Sequence, residues 1–114
     1  MTLLHLLGLP PRIQSRYIHG IERSTPERIL KAVESVTGIQ RETLFSKTRK
    51  NPVPDIRFIA MSLMRKHTDL TLKEVGAPFG RDYSTVIYAE GRVADLLETD
   101  RAFARMYNNI SKEI

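Results

Sequence analysis

Cysteine is absent from this 114-residue chain. Its absence excludes disulfide bonds, cysteine nucleophiles and cysteine-based zinc sites. Long hydrophobic runs are absent as well: the longest, Leu3 to Leu9, is interrupted by His5 and Gly8 and falls far short of the roughly 20 apolar residues that a membrane span needs. The same run lacks the basic segment and the small-residue cleavage site of a signal peptide. We therefore expect a cytoplasmic protein without a membrane partner.

Catalytic groups are equally scarce. The histidines are scattered, and His5 and His19 have no ligand partner at a spacing suited to a metal ion. No two carboxylates are paired on one predicted helix face, and no GxxxxGK[ST] phosphate-binding loop occurs. The sequence therefore predicts a protein that is not an enzyme and that binds no metal, no cofactor and no ATP.

The residues that are present indicate one globular domain with a basic region. Hydrophobic residues make up 41% and charged residues 27% of the chain, as in an ordinary folded domain. The net charge of +5 arises in the middle of the sequence, because residues 41–66 hold seven Lys or Arg against two Asp or Glu. This excess centres on Lys47, Arg49 and Lys50. Either a polyanion binds there or the segment is a solvated basic loop.

Hydrophobic spacing predicts helices in the first half of the domain. A capping box at Ser24 and Glu27 opens the first helix, which Gly38 ends. A short second helix is predicted up to Phe45, and Ser46–Pro54 reads as a loop because of its prolines. A long helix follows, with a buried stripe formed by Ile56, Ile59, Ala60, Leu63 and Met64. No alternating strand pattern occurs, so we expect an all-α protein.

The second half of the chain has the pattern of a helix-turn-helix. Thr71 and Glu74 form a capping box for a short helix, which Gly76 ends. After a tight turn, Asp82 is a good N-cap for a longer helix, and a last helix starts near Thr99. The residues expected to face inward from the longer helix are Val86, Ala89, Val93 and Leu96. Small hydrogen-bonding side chains on its first turn would reach base edges in the major groove of DNA.

Three stretches of the sequence resemble a known family. The runs Val75-Gly76, Phe79-Gly80 and Arg81-Asp82-Tyr83-Ser84-Thr85-Val86-Ile87 resemble the signature of the C-terminal DNA-binding domain of the bacterial replication initiator DnaA. Residues 44–50 resemble that domain's basic loop, and residues 57–63 resemble its long helix. The resemblance implies a small Trp-repressor-like helical bundle over residues 24–114. Residues 1–23 show no hydrophobic period long enough to define an element, and we expect them to form an arm or short helices.

The resemblance also implies double-stranded DNA as the partner and assigns roles to individual residues. Arg49 takes the place of an arginine that enters the minor groove. Base reading in the major groove falls to Asp82, Tyr83 and Ser84. The implied DNA backbone contacts are Lys47, Lys50, Arg57, Arg81 and Thr85. We expect monomeric binding in the nucleoid, because one helical core accounts for all the apolar stripes and leaves no heptad seam.

Two departures from the family pattern stand near this site. Tyr83 replaces the family's usual histidine, and Gly80 stands alone where the family has two glycines before the arginine. The first departure puts the base preference in question, because phenol and imidazole offer different hydrogen-bonding groups. The second shortens the turn. The family's AAA+ ATPase domain is absent from this sequence, which fits a stand-alone relative or a piece of a longer protein.

Other functions stay open at this point. The same helix-turn-helix would serve a regulator of transcription or transposition. Alternatively, the helices would bind a protein and the basic loop would only be solvated. Dependence of binding on salt separates this last alternative from DNA binding, because phosphate contacts weaken steeply with salt.

Overall fold

The computed structural model describes residues 25–114, which form six α-helices and one 3₁₀ turn and contain no strand. The helices are α1 (Pro26–Thr37), α2 (Arg41–Phe45), α3 (Val53–His67), α4 (Leu72–Gly76), α5 (Tyr83–Thr99) and α6 (Arg101–Lys112), with the 3₁₀ turn at Ala77–Phe79. The expected all-α class is confirmed. The arm assigned to residues 1–23 lies outside the described residues.

The first helix begins one residue later than the sequence suggested. Its N-cap is Thr25, whose side chain accepts a hydrogen bond from the backbone N–H of Arg28 at 3.2 Å, and Pro26 occupies the first helical position. The predicted capping box relied on Ser24, which lies outside the described residues. At the other end, Gly38 closes the helix with a left-handed backbone, as predicted.

An arginine on α2 ties the first two helices together. The guanidinium of Arg41 contacts both carboxylate oxygens of Glu27, at 2.6 and 3.0 Å, and one oxygen of Glu34 at 2.8 Å. These hydrogen bonds lower the pKa of both glutamates. Arg41 is one of the seven basic residues counted in the segment 41–66, but its charge is paired with Glu27 and Glu34 of α1.

Helix α3 runs through the centre of the domain. It begins at Val53, one residue before the predicted Pro54, and all five residues of its predicted stripe are buried. It packs against α1, α2, α4 and α5. The core around it is formed by apolar residues from every helix, among them Ile29, Leu44, Ile56, Leu63, Val75, Phe79, Val86 and Ile110.

The last two helices complete the bundle. Helix α5 buries Val86, Ala89 and Val93, as predicted, and leaves Leu96 half-buried. Helix α6 starts two residues after the predicted Thr99, with the side chain of Asp100 as its N-cap. Its buried face consists of Phe103, Tyr107 and Ile110. Within residues 25–114, no helix is long and apolar enough to cross a membrane.

Candidate nucleic-acid interface

Helices α4 and α5 and the turn between them form the predicted helix-turn-helix. Helix α4 opens with the predicted capping box: Glu74 N–H donates to the Thr71 hydroxyl at 3.1 Å, and Thr71 N–H donates to the Glu74 carboxylate at 3.0 Å. The 3₁₀ turn follows, and Gly80 then adopts a left-handed φ of 64°, which glycine tolerates without steric strain. The turn is closed by a backbone hydrogen bond of 3.0 Å, which Arg81 N–H donates to the Gly76 carbonyl.

Gly76 makes this closure possible. A Cβ atom at this residue would lie 2.4 Å from the Arg81 carbonyl oxygen and 3.2 Å from that of Asp82. Both oxygens belong to the backbone immediately before α5. They cannot move out of the way as the end of a flexible side chain could. The chain entering α5 therefore approaches α4 as closely as it does because residue 76 has no side chain.

Asp82 organises the first turn of α5. One of its oxygens, Oδ1, accepts hydrogen bonds from the Ser84 hydroxyl at 2.6 Å, the Thr85 N–H at 3.1 Å and the Thr85 hydroxyl at 3.3 Å. The bond from Ser84 and then that from the Thr85 N–H lower the pKa of Asp82 below its usual range. The predicted N-cap is confirmed, and the carboxylate is held ionised at neutral pH.

The surface of α5 beyond its cap is open. Tyr83 is 61% exposed, Ile87 52% and Tyr88 60%, and Ser84 is also exposed, whereas Thr85 is half-buried. The ring of Tyr88 meets Phe58 of α3 edge to face, with centroids 5.7 Å apart. The sequence reading did not single out Ile87, although it follows Tyr83 by one helical turn.

The second part of the candidate site is the basic loop, defined as residues 46–52 between α2 and α3. Lys47, Arg49 and Lys50 are exposed and form no ion pair within residues 25–114. The Ser46 and Thr48 hydroxyls accept hydrogen bonds from the N–H groups two residues ahead, at 3.4 and 3.3 Å. The loop thus presents three free cations on a backbone that has its own internal hydrogen bonds.

Arg57 stands apart from the other predicted DNA contacts because it is buried, with 4% of its surface exposed. Its side chain donates to the carbonyls of Leu44 and Ser46, each at 2.8 Å, and to that of Thr48 at 3.3 Å. The predicted phosphate contact stays a prediction, but this geometry favours another role. Helical spacing of three and four residues from Val53, Ala60 and Met61, all buried, would have placed Arg57 on the inner face.

A ring contact packs the segment before the basic loop against the segment before α5. The rings of Phe45, just before the loop, and Phe79, just before the α5 turn, meet edge to face with centroids 5.2 Å apart. Burial, and then the positive charge of Arg81, lower the pKa of Arg57. Segments that are far apart in the sequence, one before the basic loop and one before α5, are therefore packed against each other in the structure.

The fold and this arrangement define a helix-turn-helix module with a basic loop beside its second helix. Comparison with known proteins agrees: the family model described as the bacterial DnaA protein helix-turn-helix matches residues 26–93. The chain therefore belongs to the bacterial DnaA helix-turn-helix family, whose members are DNA-binding modules, and the resemblance seen in the sequence is confirmed.

Similar proteins carry the name chromosomal replication initiator protein DnaA. That of a Nostoc strain is 37% identical over 92 residues, covering 80% of this chain and 20% of the relative. That of Flavobacterium psychrophilum is 30% identical over 110 residues, covering 95% of this chain and 23% of the relative. This chain thus spans about a fifth of the length of these relatives.

Proposed function

We propose that this chain binds a specific double-stranded DNA site resembling the DnaA box and acts in the initiation of replication or its regulation. In this proposal the first turn of α5 reads bases in the major groove. The basic loop places Arg49 in the adjacent minor groove. Lys47, Lys50, Arg81 and Thr85 would contact the sugar-phosphate backbone.

The observation that supports the proposal is the contact between the segment before the basic loop and the segment before α5. The rings of Phe45 and Phe79 meet there, and both the cations of the loop and the first turn of α5 that follow these rings are exposed. With 17 residues, α5 is about 25 Å long, and a major groove about 12 Å wide accepts an α-helix. A loop at one end of such a helix is suited to the neighbouring minor groove, as in other helix-turn-helix proteins with basic arms.

Hydrogen-bond polarity in the first turn of α5 narrows the bases that would fit. The Ser84 hydroxyl uses its one hydrogen to donate a hydrogen bond to Asp82, so its remaining hydrogen-bonding capacity is that of an acceptor. The ionised Asp82 carboxylate is also an acceptor. The donors available in the major groove are the amino groups of adenine and cytosine. We therefore expect Asp82 and Ser84 to face A or C, whereas the Tyr83 phenol is able to donate or accept.

Selection from a random duplex library tests the proposal. We expect enrichment of one asymmetric site that binds the chain as a monomer, and a two-fold palindrome would contradict the monomeric part. Affinity for the selected site should fall steeply between 50 and 200 mM salt, with a log–log slope of about −0.9 for each phosphate neutralised. No enriched duplex, or binding that ignores salt, would instead favour a protein-interaction module.

The role of Arg49 is tested with base analogues. An inosine·cytosine pair lacks the amino group that guanine places in the minor groove, so in that groove it resembles an A·T pair. In the major groove, by contrast, it differs from A·T. If Arg49 reads the minor groove, replacing A·T by I·C within its footprint should be tolerated, whereas G·C should weaken binding. In an Arg49→Ala variant the two replacements should become equivalent. The matched control is Arg105→Ala, which removes an exposed arginine of α6.

A further inference from the structure

The guanidinium of Arg57 is a buried cation that is bonded to one segment of the chain. Its three acceptors are the carbonyls of residues 44, 46 and 48, which alternate along the backbone that leaves α2 and enters the basic loop. Among residues 25–114 it has no ion-pair partner. A buried charge is costly unless its hydrogen bonds are made. The buried Arg57 guanidinium is therefore stable only while these carbonyls accept its hydrogen bonds.

The three bonds fix the path of the loop just before Arg49. A guanidinium is planar and its donors have fixed directions, so bonds to alternate carbonyls determine the orientation of the peptides between them. The Thr48 carbonyl belongs to the peptide that continues into Arg49. Without this fork, the hydrogen bonds left to residues 46–50 would all be local: Ser46 donates to the Thr43 carbonyl, the Lys50 carbonyl accepts from Val53 N–H, and the Ser46 and Thr48 hydroxyls accept from N–H groups within the loop.

We propose that Arg57 is a positioning residue: from within the fold it holds the basic loop in the shape that presents Arg49, and it does not itself contact phosphate. This inference rests on the proposed DNA binding. A flexible loop must be ordered when DNA binds, and that ordering weakens affinity, whereas a loop already held in place avoids the loss. In metal sites, mutation of a residue that orients a ligand typically lowers the affinity for the metal about 10–100-fold. We expect substitution of Arg57 to lower the affinity for DNA by a similar factor.

Substitution by lysine separates the two roles. Arg57→Lys keeps the positive charge but loses the planar fork. A positioning role predicts that Arg57→Lys and Arg57→Gln weaken specific binding by similar factors, whereas a phosphate contact predicts substantial rescue by lysine. Arg105→Lys is the control, because this arginine of α6 is exposed, whereas the donor to the carbonyls of residues 44, 46 and 48 is Arg57. We expect it to change affinity less than about threefold.

A double-mutant cycle supplies the decisive comparison. If Arg57 acts through Arg49, Arg57→Lys should weaken binding by a clearly larger factor in the parent than when Arg49→Ala is already present, where only the phosphate contacts of Lys47 and Lys50 remain to be lost. Equal effects in both backgrounds would overturn the proposal. Circular dichroism and thermal unfolding establish that each variant is folded at the temperature of the binding assay.

A measurement on the parent chain keeps the proposal testable if the variants do not fold. In NMR spectra of the free protein, the Arg57 Nε–H should exchange slowly with water and should change little when the selected duplex is added. An Nε–H that exchanges freely until DNA is added would refute the positioning role. Failure of the parent to bind any duplex would remove the proposed function, while a protected Nε–H would still establish that Arg57 holds the loop.

Discussion

Replacing Gly76 by alanine tests the close approach on which the helix-turn-helix depends. The new methyl carbon would lie 2.4 Å from the Arg81 carbonyl oxygen, whereas non-bonded heavy atoms prefer separations of about 3.5–4.0 Å. The backbone before α5 would have to move by about 1 Å. Overpacking of this kind costs about 1–3 kcal/mol, and the better helix propensity of alanine offsets at most about 1 kcal/mol. We expect a net loss of about 1–2 kcal/mol.

Gly91→Ala is the matched control, because it makes the same chemical change on α5 where no atom lies within 4 Å of the new methyl group. Alanine there should stabilise the chain by about 0.8–1.0 kcal/mol through helix propensity alone. The two variants should therefore shift the thermal midpoint in opposite directions, with Gly76→Ala lowering it by about 5–15 °C. Urea unfolding should give the same order with unchanged slopes.

The binding assay extends this comparison to the candidate site. Moving the backbone at Arg81 and Asp82 would reorient the first turn of α5. Gly76→Ala should thus lose affinity for the selected duplex at a temperature where it is fully folded. The reasoning would be refuted if Gly76→Ala were as stable as the parent, or if both variants shifted stability in the same direction.

Four further predictions follow from the same geometry. Arg49→Ala should weaken specific binding by about 1–3 kcal/mol; an unchanged affinity in fluorescence anisotropy would remove Arg49 from the site. Tyr83→His should shift preference at one base pair by about 1–3 kcal/mol without changing the salt slope, and a shift shared by all sequences would contradict base reading. Ser84→Ala should relax discrimination at a pair whose favoured base carries an amino group; unchanged discrimination in a repeated selection would count against it. Glu27 and Glu34 have lowered pKa values in the folded chain, so the stability they contribute is present above their ordinary value of 4.5 and should be lost as the pH falls through the lowered values. Thermal melts between pH 7 and pH 3 test this loss, and a Glu34→Gln variant that retained the parent's acid sensitivity would argue against it.

Local signals in the sequence were sufficient for most helix boundaries. The capping box at Thr71, the N-cap at Asp82 and the stop at Gly38 are all present as predicted. Each depends on hydrogen bonds or backbone angles within a few residues, so the relevant partners are adjacent in the sequence. The first helix was misplaced by one residue because Thr25 follows Ser24 and both are good caps.

Relations between distant segments required the tertiary structure. Arg41 and Arg57 look alike in the sequence as members of one basic cluster, yet the first is paired with acids of α1 and the second is buried beneath the basic loop. The net charge of a segment does not show which of its cations are exposed, because the exposure of each cation depends on the helices packed around it.

The sequence by itself determined the all-α class, the helix-turn-helix and the position of the basic segment around Lys47, Arg49 and Lys50. These features follow from spacing and composition, which act over one or two helical turns. Only the tertiary structure decided that the segments before the basic loop and before α5 pack against each other, and that Gly76 lies against the backbone of Arg81. Both depend on contacts between segments that meet only after the core has packed, through the Phe45–Phe79 contact and the approach of Arg81 to Gly76.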